Sequence, residues 1–487
     1  MSFLHNFPYN NPRPVQEAVA EELGRTWSNY DTFIIAAPTA LGKSAVGKCI
    51  ANTVYSTSII TPTNMLVNQF LDEFPDTPTL HRQSFYRDID DGDARWRSEF
   101  ARARYRRGPG VYNYWIYAAY KLYRDCLVAD EAHNLISMIQ ELAGTTIWQH
   151  DVGYATGITR DRSRMIRFLE RIKGQYGRKK WWRYVWAAVT SERPQHVITE
   201  TTGDWLGGGQ YDADGNRVPR GEAVEMPCIQ IRPVDVRDLP ETRIILPRQT
   251  GKIVLMSATI GPKDVEQLGL DRGRVVYLNC ESPIEAGRRP VLIRPLLSLN
   301  YQNLTAGTVR LMEHVMEEYL PLHVGEKGMI HVTYQQAEIL RHLPALAGHP
   351  RLIFHGKEDK VLKFREFQDS DPAEGKVLVA SGMYEGIDLP YDMARWQVVL
   401  KVPWLSLADP AIAYKSGEDP EWYDWETWKK IIQACGRVCR TPTDQGVTYI
   451  LDGSIEKLYN RSSHLTPLWW REAVQWSDPS RPLAGSV

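Results

Sequence analysis

Short apolar runs, several of them rich in β-branched residues, recur along the chain. They are separated by stretches whose apolar positions repeat at helical spacing. Residues 33–36, 58–61, 126–129 and 253–256 form one set of such runs. Residues 329–333, 352–354, 377–380, 397–402 and 447–451 form a second. Continuous apolar strands alternating with helices predict parallel sheets covered on both faces. Two sets predict an α/β protein of two sheet domains, residues 1–290 and 291–487. Two stretches break the rhythm and read as insertions between strands of the first sheet. One, residues 80–111, is dense in arginine and acids; the other, residues 135–251, holds a basic run, a tryptophan cluster and a glycine-rich turn region.

Composition narrows the classes. Lys and Arg total 58 against 59 Asp and Glu, a net charge of −1. A globally basic nucleic-acid binder is excluded, so any such surface must be local. No apolar run reaches the roughly 20 residues of a membrane span, and the first ten residues lack the pattern of a signal peptide. Six scattered cysteines without a CxxC pair point to a reducing compartment, with no disulfide scaffold and no zinc site. These features predict a cytoplasmic protein without a membrane partner. The basic run, residues 160–183, is followed closely by or overlaps Trp181, Trp182, Tyr184 and Trp186. Positive charge beside stackable rings suits a single-strand channel; a solvated basic helix over a tryptophan core suits the same pattern. Trp422, Trp425, Trp428, Trp469 and Trp470 read as core or helix docking.

The candidate chemistry begins where the run 33–36 ends. Ala37-Pro38-Thr39-Ala40-Leu41-Gly42-Lys43-Ser44 lies between a predicted strand and a predicted helix. A loop of this kind wraps phosphates with backbone N–H groups, and the helix N-terminus adds positive potential. Gly42 allows close approach, Lys43 reaches the terminal phosphates and Ser44 ligates Mg²⁺. Ala37 and Ala40 stand where glycine is frequent in such loops. Asp130 and Glu131 end the apolar run 126–129. Phosphoryl transfer needs one carboxylate at the metal and another to orient the attacking water, and Asp130 and Glu131 suit those roles in that order. His133 either links the nucleotide site to the neighbouring domain or caps a helix.

With these residues placed, the chain resembles the superfamily-two DEAH-box helicases, and within them the XPD/DinG-like branch. Phe7-Pro8-Tyr9 with Arg13 and Gln16 resembles the branch's adenine-side motif. Residues 37–44 resemble motif I, Thr61-Pro62-Thr63 motif Ia, and Tyr112-Asn113-Tyr114 the element upstream of the DEAH box. Asp130-Glu131-Ala132-His133, Ser257-Ala258-Thr259, Glu385-Gly386-Ile387-Asp388, and Gln433, Gly436, Arg437 and Arg440 resemble motifs II, III, V and VI. The resemblance implies two RecA-like domains with ATP and Mg²⁺ in the cleft between them. It implies nucleotide contacts from Arg13, Gln16, Thr39, Gly42, Lys43, Ser44, Gly386 and Asp388, and metal ligation by Ser44 and Asp130. It implies catalytic roles for Lys43, Asp130, Glu131, Gln433, Arg437 and Arg440. Single-stranded DNA or a forked duplex would be the partner. The insertions would stand for an iron–sulfur domain and an arch. Only Cys49 and Cys126 fall between motifs I and II, too few for a four-thiolate cluster, so no cluster is expected. That departure weakens the carry-over of the branch's 5′→3′ polarity. An RNA helicase and an ATP-gated clamp with little unwinding remain open alternatives.

Overall fold

In the computed structural model, the described residues are 2–86, 91–105, 108–191, 196–206, 223–271, 273–356, 358–384 and 389–478. The first sheet is built from β1 (Thr32–Ala36), β2 (Thr57–Thr61), β3 (Gly110–Asn113) and β4 (Cys126–Asp130). A smaller sheet uses β5 (Thr145–Trp148), β6 (His196–Leu206) and β7 (Ala223–Pro233), after which β8 (Lys252–Ser257) and β9 (Val275–Asn279) return to the first. The second large sheet comprises β10 (Val291–Leu297), β11 (Gly328–Val332), β12 (Leu352–Phe354), β13 (Val377–Ser381), β14 (Trp396–Val399), β15 (Val447–Asp452) and β16 (Val474–Trp476).

The first sheet has the order β3-β2-β4-β8-β1-β9 and the second β12-β13-β11-β14-β15-β10-β16. Every strand pair in both is parallel. The alternation of side chains explains why these strands are apolar throughout. Ile34, Leu127, Ala129 and Leu255 enter the core on one face of the first sheet. Phe33, Ile35, Val128 and Val254 enter the core on the other. In the second sheet Ile330, Val332, Val377 and Val379 face one way, Met329, Leu378 and Ala380 the opposite.

The insertion between β4 and β8 has its own core. Its sheet is antiparallel, ordered β5-β7-β6. Helices Arg162–Tyr176 and Lys180–Thr190 cover one face, burying Met165, Phe168, Leu169, Trp182 and Val185 with Ile229 and Ile231. Trp182 donates its indole N–H to Leu169 O at 3.1 Å and stacks on Trp186 at 5.3 Å between ring centroids. Trp182 lies in this core, Trp181, Tyr184 and Trp186 pack half-buried against it, and the arginines of the first helix stay outside. Trp422, Trp425, Trp428, Trp469 and Trp470 are likewise buried. The glycine-rich turn region lies outside the described residues. Among the described residues, the shorter insertion contains a 3-10 turn, Gln83–Tyr86, and one α-helix, Gly92–Tyr105. Its last residues, from Gly110, already belong to β3 at the sheet edge.

Candidate functional site

The phosphate loop leaves the C-terminal end of β1 and enters helix Lys43–Thr53. Gly42 has φ +83°, and a Cβ there would lie 2.5 Å from Gln16 Nε2. The positive φ favours glycine there. Ala40 also has a positive φ, 67°, a conformation that costs an alanine of order 1 kcal/mol. Two residues support this loop from below. The Gln16 amide donates to Leu41 O at 2.8 Å and to Gly42 O at 3.5 Å, and accepts the Arg13 backbone N–H at 2.9 Å. The Arg13 guanidinium donates to Ala40 O. Gln16 is therefore a brace for the loop, with its amide groups engaged inside the protein.

Motif II sits at the end of β4, beside the loop. Glu131 adopts φ +48°, ψ 46°, a left-handed conformation that is costly for a non-glycine residue and typical of functional sites. Its carboxylate meets Lys43 Nζ at 2.8 Å. Burial alone would raise the Glu131 pKa, but Lys43, with His133 and Arg437, outweighs it and holds the carboxyl below the usual range. Burial raises Asp130 instead, and neighbouring Glu131 adds to this against the pull of Lys43. Burial opposes the charge on Lys43, yet the two carboxylates keep it protonated. Tyr114 supplies a support that spacing alone does not reveal: its hydroxyl donates to Asp130 O at 2.5 Å and to Glu131 O at 3.1 Å. Next to it, Asn113 donates to Pro62 O at 2.9 Å, tying the same element to motif Ia.

His133 joins the two lobes. Gln433 and Asn134 both direct amide nitrogens at its Nε2, at 2.8 and 3.0 Å. Its Nδ1 lies 2.7 Å from Ser257 Oγ and 3.4 Å from Glu131 Oε2. Gln433 also reaches Thr259 Oγ1 at 3.5 Å. Motifs II, III and VI therefore share one hydrogen-bonded network, and of the two readings of His133 the domain link holds.

From the second lobe, helix Pro420–Cys435 ends at the phosphate loop, where a Cβ on Gly436 would stand 3.0 Å from Thr39 Oγ1. Arg437 donates to Gln433 O at 3.0 Å and Arg440 to Gly436 O at 3.2 Å. Burial lowers the Arg440 pKa against the pull of Glu131, and Arg440 in turn acts on Lys43. Both arginines are thus within electrostatic reach of the Lys43–Glu131 pair. Gly386 and Asp388 lie outside the described residues. A cavity of about 940 Å³ opens beside the loop, lined by Arg13, Val15, Ala18, Tyr277, Cys280 and Pro442.

Further contacts hold the lobes together. Buried Asp264, just after motif III, accepts from Lys429 Nζ at 2.9 Å, Trp425 Nε1 at 2.7 Å and Gly261 N at 2.9 Å. Lys263 contacts Asp419 at 3.0 Å and Glu421 at 3.1 Å. Arg232, on β7, forms a two-pronged pair with Asp409 at 2.7 and 2.8 Å. The partners in these further contacts are 156 to 177 positions apart, and nothing local in the sequence marks them.

Two parallel-sheet lobes with a phosphate loop between them define a two-lobed nucleotide-binding architecture. The comparisons with known proteins sharpen this. Residues 329–473 match the helicase C-terminal domain family. A stretch of 245 residues, 47% of the chain, is 24% identical to the ATP-dependent DNA helicase DinG of Photobacterium profundum. That match spans about a third of the relative's length, 35%. Two solved structures, an XPD apo form and an XPD helicase, share the fold. Their TM-scores are 0.56 and 0.58 at 14% and 12% identity, over 95% and 96% of this chain and 100% of each of theirs. The chain thus shares its fold with the XPD structures, and its second lobe matches the helicase C-terminal domain family. Among the described residues, no helix is long and apolar enough to cross a membrane.

Proposed function

We propose that the protein is an ATP-dependent DNA helicase or translocase that hydrolyses ATP in the cleft between its lobes. The observation that carries this reading is the meeting of Lys43 and Glu131 with Gln433, Arg437 and Arg440 around His133. The similarity to a DNA helicase over 245 residues supports DNA over RNA as the strand.

In this reading Lys43 exchanges Glu131 for the β- and γ-phosphates, whose charge it matches. Glu131, kept ionised by its cationic neighbours, orients the attacking water. Arg437 and Arg440 meet the negative charge that develops on the γ-phosphate; such an arginine is worth about 10³–10⁵ in rate. Ser44, in the first turn of the helix after the loop, and Asp130, at the end of β4, offer a hydroxyl and a half-buried carboxylate, and the burial that raises Asp130 makes a nearby dication favourable. That donor set fits Mg²⁺, which takes few protein oxygens beside phosphate and water. The bound metal would neutralise phosphate charge. The cavity beside Arg13 and Tyr277 has room for the base of the nucleotide. Because the arginines come from the second lobe and the lysine from the first, nucleotide binding favours closure and hydrolysis favours reopening. His133 reports that state to Ser257 and Gln433.

The test is ATP hydrolysis with and without single-stranded DNA or RNA, together with strand displacement from oppositely tailed duplexes. Stimulation by DNA, and loss of both activities in Lys43→Ala, are expected. Hydrolysis that ignores nucleic acid and survives Lys43→Ala sinks the reading.

A further inference from the structure

The insertion between motifs II and III carries an uneven charge. Residues 160–183 contain ten lysines and arginines and two acids, in a chain whose net charge is −1. Helix Arg162–Tyr176 turns Met165, Phe168 and Leu169 into the core. Arg164, Arg167 and Arg171 therefore project from its outer face and are exposed. At 1.5 Å of rise per residue they span about 10 Å. Arg178 and Arg183 continue the exposed basic surface. Arg164 pairs with the helix-capping Asp161 at 3.3 Å. Among the described residues Arg167, Arg171, Arg178 and Arg183 form no ion pair; Glu170 is the one acid on the helix.

Not every basic residue here is free for a partner. Arg162 donates to Val189 O at 2.6 Å, and Lys180 donates to Leu142 O and pairs with Glu241, at 2.7 and 2.8 Å. Those two anchor the helical hairpin, while the Arg232–Asp409 pair holds the insertion's sheet against the second lobe. The exposed arginines thus stand on a braced platform. Of the rings that would stack on unpaired bases, Trp182 is buried in the hairpin's core and Trp181, Tyr184 and Trp186 are half-buried against it. What remains outside is charge at helical spacing, suited to phosphates and indifferent to bases.

We propose that Arg164, Arg167 and Arg171 form a landing strip for the phosphodiester backbone of duplex DNA, holding the unopened part of a forked substrate beside the lobes. The proposal rests on the reading of the protein as a DNA helicase, but it is tested by binding alone. Duplex DNA presents about one charge per 1.7 Å of axis, so 10 Å of strip faces enough phosphates for three contacts.

The experiment titrates the full-length protein with a short blunt duplex, and separately with single-stranded DNA, between about 50 and 200 mM salt. Wild type is compared with the triple variant Arg164→Gln, Arg167→Gln, Arg171→Gln. These side chains are exposed, and the anchors Arg162 and Lys180 are kept, so the hairpin folds; circular dichroism and a melting curve check this. Each lost phosphate contact removes about 0.9 from the slope of log K against log salt. The triple variant is expected to lose about 2 to 3 from the duplex slope and to bind duplex at least tenfold more weakly at the lower salt. Its hydrolysis at saturating single strand should stay within about twofold of wild type. An unchanged duplex slope and affinity overturn the strip. A loss confined to single-stranded DNA also overturns it, since it would place the unpaired strand there. Hydrolysis by wild type that ignores DNA would instead overturn the helicase reading, while the duplex slope still decides the strip.

Discussion

The buried pair between Asp264 and Lys429 offers a sharp test of how the lobes are joined. Their side chains are 0% and 8% exposed and meet at 2.9 Å. Burial works against the charge on Lys429, but Asp264 and Glu426 outweigh it and keep the ammonium protonated. Lys429→Met removes the cation and leaves a desolvated carboxylate. Breaking a buried pair from one side costs about 3–5 kcal/mol. Asp264 retains two neutral donors, Trp425 Nε1 and Gly261 N, which places the loss at the lower end, about 3 kcal/mol. Asp264→Asn in the same chain keeps an oxygen for those donors and removes the stranded charge. The double variant should therefore be more stable than Lys429→Met alone, with a coupling of at least about 1.5 kcal/mol in the cycle. Urea unfolding of the four proteins measures it. A loss below about 1 kcal/mol for Lys429→Met, or strict additivity, would show that the pair is not desolvated and that the lobes are joined more loosely than the distances indicate.

Three further outcomes follow from the same geometry. Tyr114→Phe removes the hydroxyl that holds the backbone of Asp130 and Glu131 and should lower kcat about tenfold or more with little change in KM; an unchanged kcat would deny Tyr114 a positioning role. Gln16→Ala strips the brace from Leu41 and Gly42 and should raise KM for ATP several-fold, whereas an unaltered KM would show that the loop holds its shape without it. Burial lowers Lys415 to about 8 from the ordinary lysine value of 10.5. Between these values the unfolded chain holds a proton that the folded one releases, so this group makes stability rise with pH, by about 3 kcal/mol in all. Lys415→Met should flatten the rise in melting temperature between about pH 7.5 and 10 relative to wild type, and parallel curves for the two proteins would refute the assignment.

What the sequence disclosed, and what it hid, follows from how local each signal is. The strands over 33–36 and 126–129 were legible because both faces are buried and every position is apolar. The phosphate loop and the paired carboxylates were legible because each is a contiguous motif set against such a strand. β10 was missed because Arg294 and Pro295 interrupt its apolar run. In the fold the interruption falls where the ladder with β15 shifts register, between Ile293 and Leu297, and Arg294 is paired with Glu318. The antiparallel sheet of the large insertion was hidden by the turn-rich stretch between its two long strands. The tryptophans after residue 180 carried two readings, because Trp182 is buried in the hairpin while Trp181 and Trp186 stay half-buried on it. Brace and relay contacts such as Tyr114 to Asp130 or Lys429 to Asp264 depend on tertiary approach alone. Tyr114 was singled out only through a resemblance, and Asp264 not at all.

The central claim is that the second lobe completes the catalytic site of the first. The most direct measurement is the kcat for ATP hydrolysis at saturating single-stranded DNA in Arg440→Ala and Arg437→Ala, beside nucleotide binding by the same proteins. The account predicts a fall of about 10³ or more in kcat for at least one arginine, with nucleotide affinity changed far less. Hydrolysis within about threefold of wild type in both variants would contradict it and leave the cleft without its second half.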